Sequence, residues 1–74
     1  MATEHHKLKV SGMSCEHCRK TVESALLNIR HVRNVVVDLE ASTATVLSED
    51  FMPGDLLAHA VEEAGYQVES VEEN

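Results

Sequence analysis

Residues 7–29 read KLKVSGMSCEHCRKTVESALLNI, and the hydrophobic period changes once within them. From 7 to 11 polar and apolar residues alternate, with Leu8 and Val10 on one side, which predicts a half-buried strand. Gly12-Met13-Ser14 breaks that pattern. From Cys15 or Glu16 to Asn28 the period becomes helical. Cys18, Val22, Ala25, Leu26 and, just beyond, Ile29 recur at intervals of three and four and form one apolar stripe.

Outward from this strand–loop–helix unit, residues 32–39 predict a second strand with Val35, Val37 and Leu39 on one face. Glu40-Ala41-Ser42-Thr43 is a tight connection, and 44–47 predict a third strand with Ala44 and Val46 inward. Pro53 suits the first turn of a second helix, where its missing N–H costs nothing, and Asp55 complements the helix dipole there. That helix is expected to run to about Ala64, to bury some of Leu56, Leu57, Ala60, Val61 and Ala64, and to end at Gly65. Residues 66–71 predict the last strand. The start, with His5 and His6, and the end, Glu72-Glu73-Asn74, are expected to be loose tails.

The order is β-α-β-β-α-β, which predicts an α+β, ferredoxin-like fold: a four-stranded antiparallel sheet with two helices on one face. One domain is expected over 1–74, with its core at about 7–71. Right-handed crossovers make strands 1 and 3 central neighbours, with strand 4 beside 1 and strand 2 beside 3. The segments 12–18, 40–43 and 65–66 should then share one pole, so that any chemistry at the cysteines has the other two as its surroundings.

Seventy-four residues leave room for one small domain, close to the size at which a metal, a disulfide or a partner commonly adds stability. Hydrophobic residues at 43% and charged residues at 26% exclude wholesale disorder. One Phe, one Tyr and no Trp provide no base-stacking platform. Six Lys and Arg against thirteen Asp and Glu give a net charge of −7, which argues against a nucleic-acid partner. All six cations lie within residues 1–33, and residues 34–74 carry ten acids without a Lys or Arg, so the surface should be dipolar. No apolar run approaches the ~20 residues of a membrane span, so the chain is not expected to be membrane-embedded. Glu4, His5, His6, Lys7 and Lys9 occupy the place where a signal peptide would be apolar. The expected location is the cytoplasm, where thiols stay reduced.

In that compartment Cys15 and Cys18, spaced C-x-x-C, read as metal binding or thiol redox chemistry before they read as a structural disulfide. At a helix start, unsatisfied N–H groups and the positive dipole end favour anions, so both thiols should ionise more easily than a free cysteine of pKa ~8.5. Two soft thiolates suit a soft closed-shell cation, and Cu(I), content with two near-linear ligands, fits best. Zn(II) asks for four ligands, and Cys15, Cys18 and His17 supply at most three.

Gly12-Met13-Ser14-Cys15-Glu16-His17-Cys18, set between a first strand and a first helix, resembles the metal loop of the heavy-metal-associated domain. The resemblance extends over about 7–71 and takes in Val37-Asp38-Leu39, Ala44-Thr45-Val46 and Ala64-Gly65-Tyr66. With its own Met1 the chain is similar to free-standing bacterial copper chaperones, which carry Cu(I) on two cysteines and pass it to a copper-exporting P-type ATPase by stepwise thiolate exchange. The resemblance implies that Cys15 and Cys18 are the metal ligands, that Met13 packs structurally beneath the loop, and that Tyr66 lies beside the metal. A partly buried ring filling a core poor in aromatics is the alternative for Tyr66. His17 matches a Cys-x-His-Cys variant: it either tunes the thiolates or joins a copper-bridged homodimer, or it is an exposed helix-start residue. Relatives preferring Zn(II) or Cd(II) tend to place a carboxylate beside the first cysteine; Ser14 supplies none, which favours Cu(I). Many relatives have Gly before the second strand where this chain has His31, a residue that tolerates a left-handed backbone better than most. His59 is expected on the surface of the second helix.

Three other readings compete. A thiol–disulfide oxidoreductase would use the same cysteines, but such domains are longer and usually keep a Trp or Pro beside them, whereas the single Pro here is Pro53. The chain could instead be a metal-binding domain of the ATPase itself, or a mercury carrier. It could also be a Cu(I) buffer or sensor that dimerises on copper. The favoured reading is a carrier and not an enzyme. Arg19 and Lys20, flanking the loop, would face acids on the transfer partner.

Overall fold

The strand that opens the chain is longer than its hydrophobic residues reveal. A computed structural model describes residues 3–49 and 52–73, and in it β1 covers Thr3–Ser11, starting four residues before the expected position. It is followed by α1 (Glu16–Leu27), β2 (Val32–Asp38), β3 (Thr43–Glu49), α2 (Gly54–Glu63) and β4 (Gln67–Glu73). The sheet order is β2-β3-β1-β4 with every neighbouring pair antiparallel, the order that the crossover rule requires. Helix α1 packs on β2 and β3, α2 packs on β4, and the two helices touch.

The inward face of β1 carries Glu4, His6, Leu8 and Val10, while His5, Lys7 and Lys9 are exposed on the other face. Strict alternation therefore begins at Glu4, but its first two inward positions are polar, and this hides the strand from a reading based on apolar residues. His6 is 1% exposed, pairs with Val46 across the sheet, and has its Nε2 3.4 Å from Glu4 Oε1. The same Glu4 oxygen accepts the Met52 backbone N–H at 3.2 Å, fastening the β3–α2 connection to the sheet. His6 thus belongs to the packed fold and not to a loose start. At the other terminus β4 continues through Glu72 and Glu73, paired to Lys7 and His6, so the expected tail is strand there. Asn74 lies outside the described residues.

Leu8, Leu26 and Leu57 are fully buried between sheet and helices, with Val22, Val46 and Val61 around them. Truncating any of these leucines to Ala should cost about 2–5 kcal/mol. Ala44 and Val46 face inward as expected, and β3 extends past both of them to Thr43 and Glu49. Leu39 falls just beyond β2 and packs against the core from the turn. Of the apolar residues of α2, Leu57 and Val61 are buried whereas Leu56 is exposed. Pro53 is the N-cap and not part of the first turn, so its fixed φ leads the chain into the helix from outside.

Positive-φ residues stand in the connections, among them Ser42 (φ 57°) in the β2–β3 turn. Gly65 (φ 104°) follows the Ala64 cap of α2, which is the C′ role expected of it. His31 holds φ 76° between α1 and β2, the conformation for which Gly would be the ordinary choice. At the cysteine end of the sheet, Ser11 pairs with Gln67, Lys9 pairs with Thr43, and Val10 N–H donates to the Ser42 carbonyl at 2.8 Å. The loop before α1, the β2–β3 turn and the α2–β4 connection therefore meet at one pole.

Candidate metal-binding loop

Chain direction changes between Ser11 and Glu16, and the first glycine permits it. Gly12 has φ 96°, a region unfavourable for side chains, and a Cβ there would lie 3.5 Å from Cδ1 of Tyr66. Met13 turns inward and is buried in the core, which anchors the loop from below. Cys15 caps α1 in an extended conformation (φ −153°, ψ 170°), with no side-chain cap bond, and Arg19 N–H donates to its carbonyl at 3.1 Å. Cys18 lies in the first turn.

This places Cys15 Sγ and Cys18 Sγ 3.4 Å apart as free thiols. Cys15 is exposed; Cys18 is half-buried and rests against the core. The Cys18 thiol is pushed down from 9.0 to about 6, chiefly by the Ser14 backbone N–H, then by the Tyr66 phenol and by Cys15. Hydrogen bonds specific to this loop, beyond the general pull of a helix terminus, are therefore the cause. The Tyr66 phenol is correspondingly pushed up, first by its hydrogen bond to Cys18.

Around the pair, Glu16 is solvent-exposed and forms a two-point contact with Arg19 (Nε to Oε1 2.9 Å and to Oε2 2.8 Å), which pulls the carboxyl below its ordinary range. Arg19 also reaches Glu23 at 3.6 Å. His17 is exposed. Among the described residues no three His, Cys, Asp or Glu side chains converge on a point, so within this chain the thiolates form a two-ligand arrangement. His59 is exposed on α2, 3.6 Å from Glu63. On the turn side, Asp38 Oδ1 accepts the N–H groups of Glu40 and Ala41, and Lys9 Nζ donates to the Ala41 carbonyl at 3.3 Å. Within α1, Thr21 Oγ1 donates to the His17 carbonyl at 2.9 Å.

Residues 7–67 match the heavy-metal-associated domain family, a span that includes the end of β1, the loop and all of α1, β2, β3 and α2. The chain belongs to that family. A relative from Staphylococcus epidermidis, named copper chaperone CopZ, is 42% identical over 62 residues, covering 82% of this chain and 91% of the relative. A solved CopZ metallochaperone is 40% identical and superposes with a TM-score of 0.83, covering 86% of this chain and 97% of that one. The copper-binding domain of HMA7, a P-type ATPase, gives a TM-score of 0.83 at 26% identity, covering 96% and 93%. Likeness at this level spans both a chaperone and an ATPase domain.

Proposed function

We propose that this protein is a copper chaperone that binds one Cu(I) between Cys15 and Cys18 and hands it to the metal-binding domain of a copper-transporting P-type ATPase. The observation that carries the proposal is the pair of free thiols 3.4 Å apart at an exposed pole, with Cys18 held as a thiolate donor near neutral pH. Two thiolates and a Cu(I) ion leave a single negative charge, which the helix start and the Ser14 N–H accommodate. Modest movement of one sulfur brings the pair to the near-linear geometry that Cu(I) accepts. The family and the curated relatives support copper as the cargo, and carriage and hand-over, not catalysis, as the role.

Transfer follows from exposure. Cys15 faces solvent, so an incoming thiolate on the partner forms a bond to copper while one of the two original Cu–S bonds breaks, and the electron pair stays on the departing sulfur. Copper remains Cu(I) throughout, and a two-ligand site leaves room for the third sulfur. A second copy of this chain could offer the same thiolate and give a copper-bridged dimer. The reduced thiols suit the cytoplasm, and among the described residues no helix is long and apolar enough to cross a membrane. Docking charge at the rim falls mainly to Lys20, since Arg19 is engaged by Glu16 and Glu23.

The test is transfer itself. The copper-loaded reduced chain is mixed anaerobically with an apo metal-binding domain from a copper P-type ATPase, and the two are separated by ion exchange. Copper should redistribute between them within the mixing time. Copper that stays with the donor, or that moves equally well from a chain carrying Cys15→Ser and Cys18→Ser, would overturn the proposal.

A further inference from the structure

The open face of the sheet, turned away from both helices, carries positive charge along its middle. Lys7 and Lys9 are exposed there on β1, two residues apart and so roughly 6.5 Å along the strand. In the neighbouring strands Lys7 is opposed by Thr45 and Glu72, and Lys9 by Thr43 and Ser70. Directly opposed residues of an antiparallel pair project from the same side of the sheet, about 4.5–5.5 Å apart. Lys7, Lys9, Thr43, Ser70 and Glu72 together line a groove of about 210 Å³.

The polar groups of this groove have few partners within the protein. Lys7 and Glu72 stand opposed with opposite charge, yet among the described residues no ion pair joins them. Neither the Thr43 nor the Ser70 hydroxyl has a hydrogen-bond partner among the described residues. Thr43 is the more informative of the two, because it is only 9% exposed and still lines the groove. A polar side chain so buried ordinarily has a partner in the protein or in bound solvent. Lys9 alone is engaged, through its Nζ on the Ala41 carbonyl at 3.3 Å. Strand propensity accounts for Thr43 but not for a pair of lysines, a residue depleted in strands. Lysine does guard exposed sheet edges; β1, however, lies inside the sheet with β3 on one side and β4 on the other.

We propose that this groove binds a small acidic α-amino acid, with its two carboxylates on Lys7 and Lys9, its ammonium on Glu72, and hydrogen bonds from Thr43 and Ser70 to the carboxylates. The charges match one for one, since two cations and one carboxylate in the groove meet two carboxylates and one ammonium in the ligand. A simple anion would satisfy the lysines and be repelled by Glu72, and a simple cation would meet the reverse. The groove is smaller than the ~300–1,000 Å³ of pockets for drug-sized ligands, which restricts the occupant to a compact molecule. A net charge of −7 does not forbid an anionic ligand, because exposed charges more than ~8–10 Å away are largely screened at physiological salt. No residue of the groove belongs to the cysteine loop, so the site is independent of the copper reading.

The experiment follows the backbone amides of the reduced, isotopically labelled chain by NMR during titration with L-glutamate at constant ionic strength. The amides of Lys7, Lys9, Thr43, Ser70 and Glu72 should shift and saturate, while those of the cysteine loop stay in place. Glutarate, which keeps both carboxylates and lacks the ammonium, should bind about two- to fivefold more weakly, the range of one exposed ion pair. Lys7→Gln should weaken glutamate binding to a similar degree, and Thr43→Val by roughly two- to tenfold, the range of one hydrogen bond. In Glu72→Gln glutamate should weaken and glutarate strengthen, so that the preference between them disappears. The remaining amide signals report that each variant is folded. Shifts that rise without saturating, equal affinity of the native chain for glutamate and glutarate, or native affinity in Lys7→Gln would overturn the inference. The same titration of the Cys15→Ser, Cys18→Ser variant should give unchanged binding; loss of binding there would place the ligand on the thiols and overturn the inference as well.

Discussion

Varying pH across the range in which Cys18 changes charge exposes the loop chemistry without any metal. The Cys18 thiol is lowered from 9.0 to about 6. At pH 7 about nine-tenths of it is therefore thiolate, against roughly one-hundredth for a thiol left at its ordinary value. Thiolate fraction alone would make Cys18 about ninety times more reactive towards an alkylating agent. Stabilised thiolates are weaker nucleophiles, however, and a Brønsted slope of about 0.4–0.5 takes back a factor of roughly 16–30. The net expectation at pH 7 is only about three- to sixfold faster alkylation than an unperturbed thiol, with a rate that is already flat by pH 8. The assay is iodoacetamide alkylation of the reduced native chain from pH 4.5 to 9, with the modified cysteine located by fragmentation mass spectrometry. A Cys18 rate that rises with a midpoint near 6 and then levels agrees with the structure. A rate still climbing at pH 8.5 would refute the hydrogen-bond argument built on Ser14 and Tyr66.

Two further changes test parts of the fold away from the metal pole. His6→Ala removes a side chain that is 1% exposed and leaves Glu4 without its neighbour; it should destabilise the domain by about 1–3 kcal/mol in urea unfolding, whereas a loose-tail residue would leave the midpoint unchanged. His31→Gly relieves a φ of 76° and should raise the urea midpoint by an amount corresponding to about 0.5–1 kcal/mol, less whatever the greater freedom of the unfolded chain takes back; a lowered midpoint would show that the His31 side chain contributes more than its backbone strain costs.

Where the sequence was legible, the residue types and the physical demand agreed. Alternation at Leu8 and Val10, the stripe from Cys18 to Ile29, and Gly65 after α2 each state one conformation, and the structure has all three. Sheet order followed from handedness and needed no particular residue. His31 was read correctly as a turn residue because a left-handed backbone narrows the choice. The beginning of β1 was not legible, because Glu4 and His6 fill inward positions with polar atoms that pair with each other and with the Met52 N–H. No rule based on apolar periodicity detects inward positions filled by two polar side chains in contact. The end of β4 was missed for a related reason: Glu72 and Glu73 look like a solvated tail, yet their backbone completes the ladder to β1. At the site, spacing alone brought Cys15 and Cys18 together, and Met13 is buried in the core. The contribution of the Ser14 N–H was hidden, since it depends on loop geometry that the sequence leaves unstated.

The central claim is that two thiolates and nothing else in this chain hold Cu(I). Anaerobic titration of the reduced protein with Cu(I), competed against a chromophoric chelator and run beside the Cys15→Ser, Cys18→Ser variant and a parallel Zn(II) titration, addresses it most directly. The account predicts one tightly held Cu(I) per chain, abolished in the variant and far tighter than Zn(II). Weak binding, or binding that survives loss of both cysteines, would contradict it.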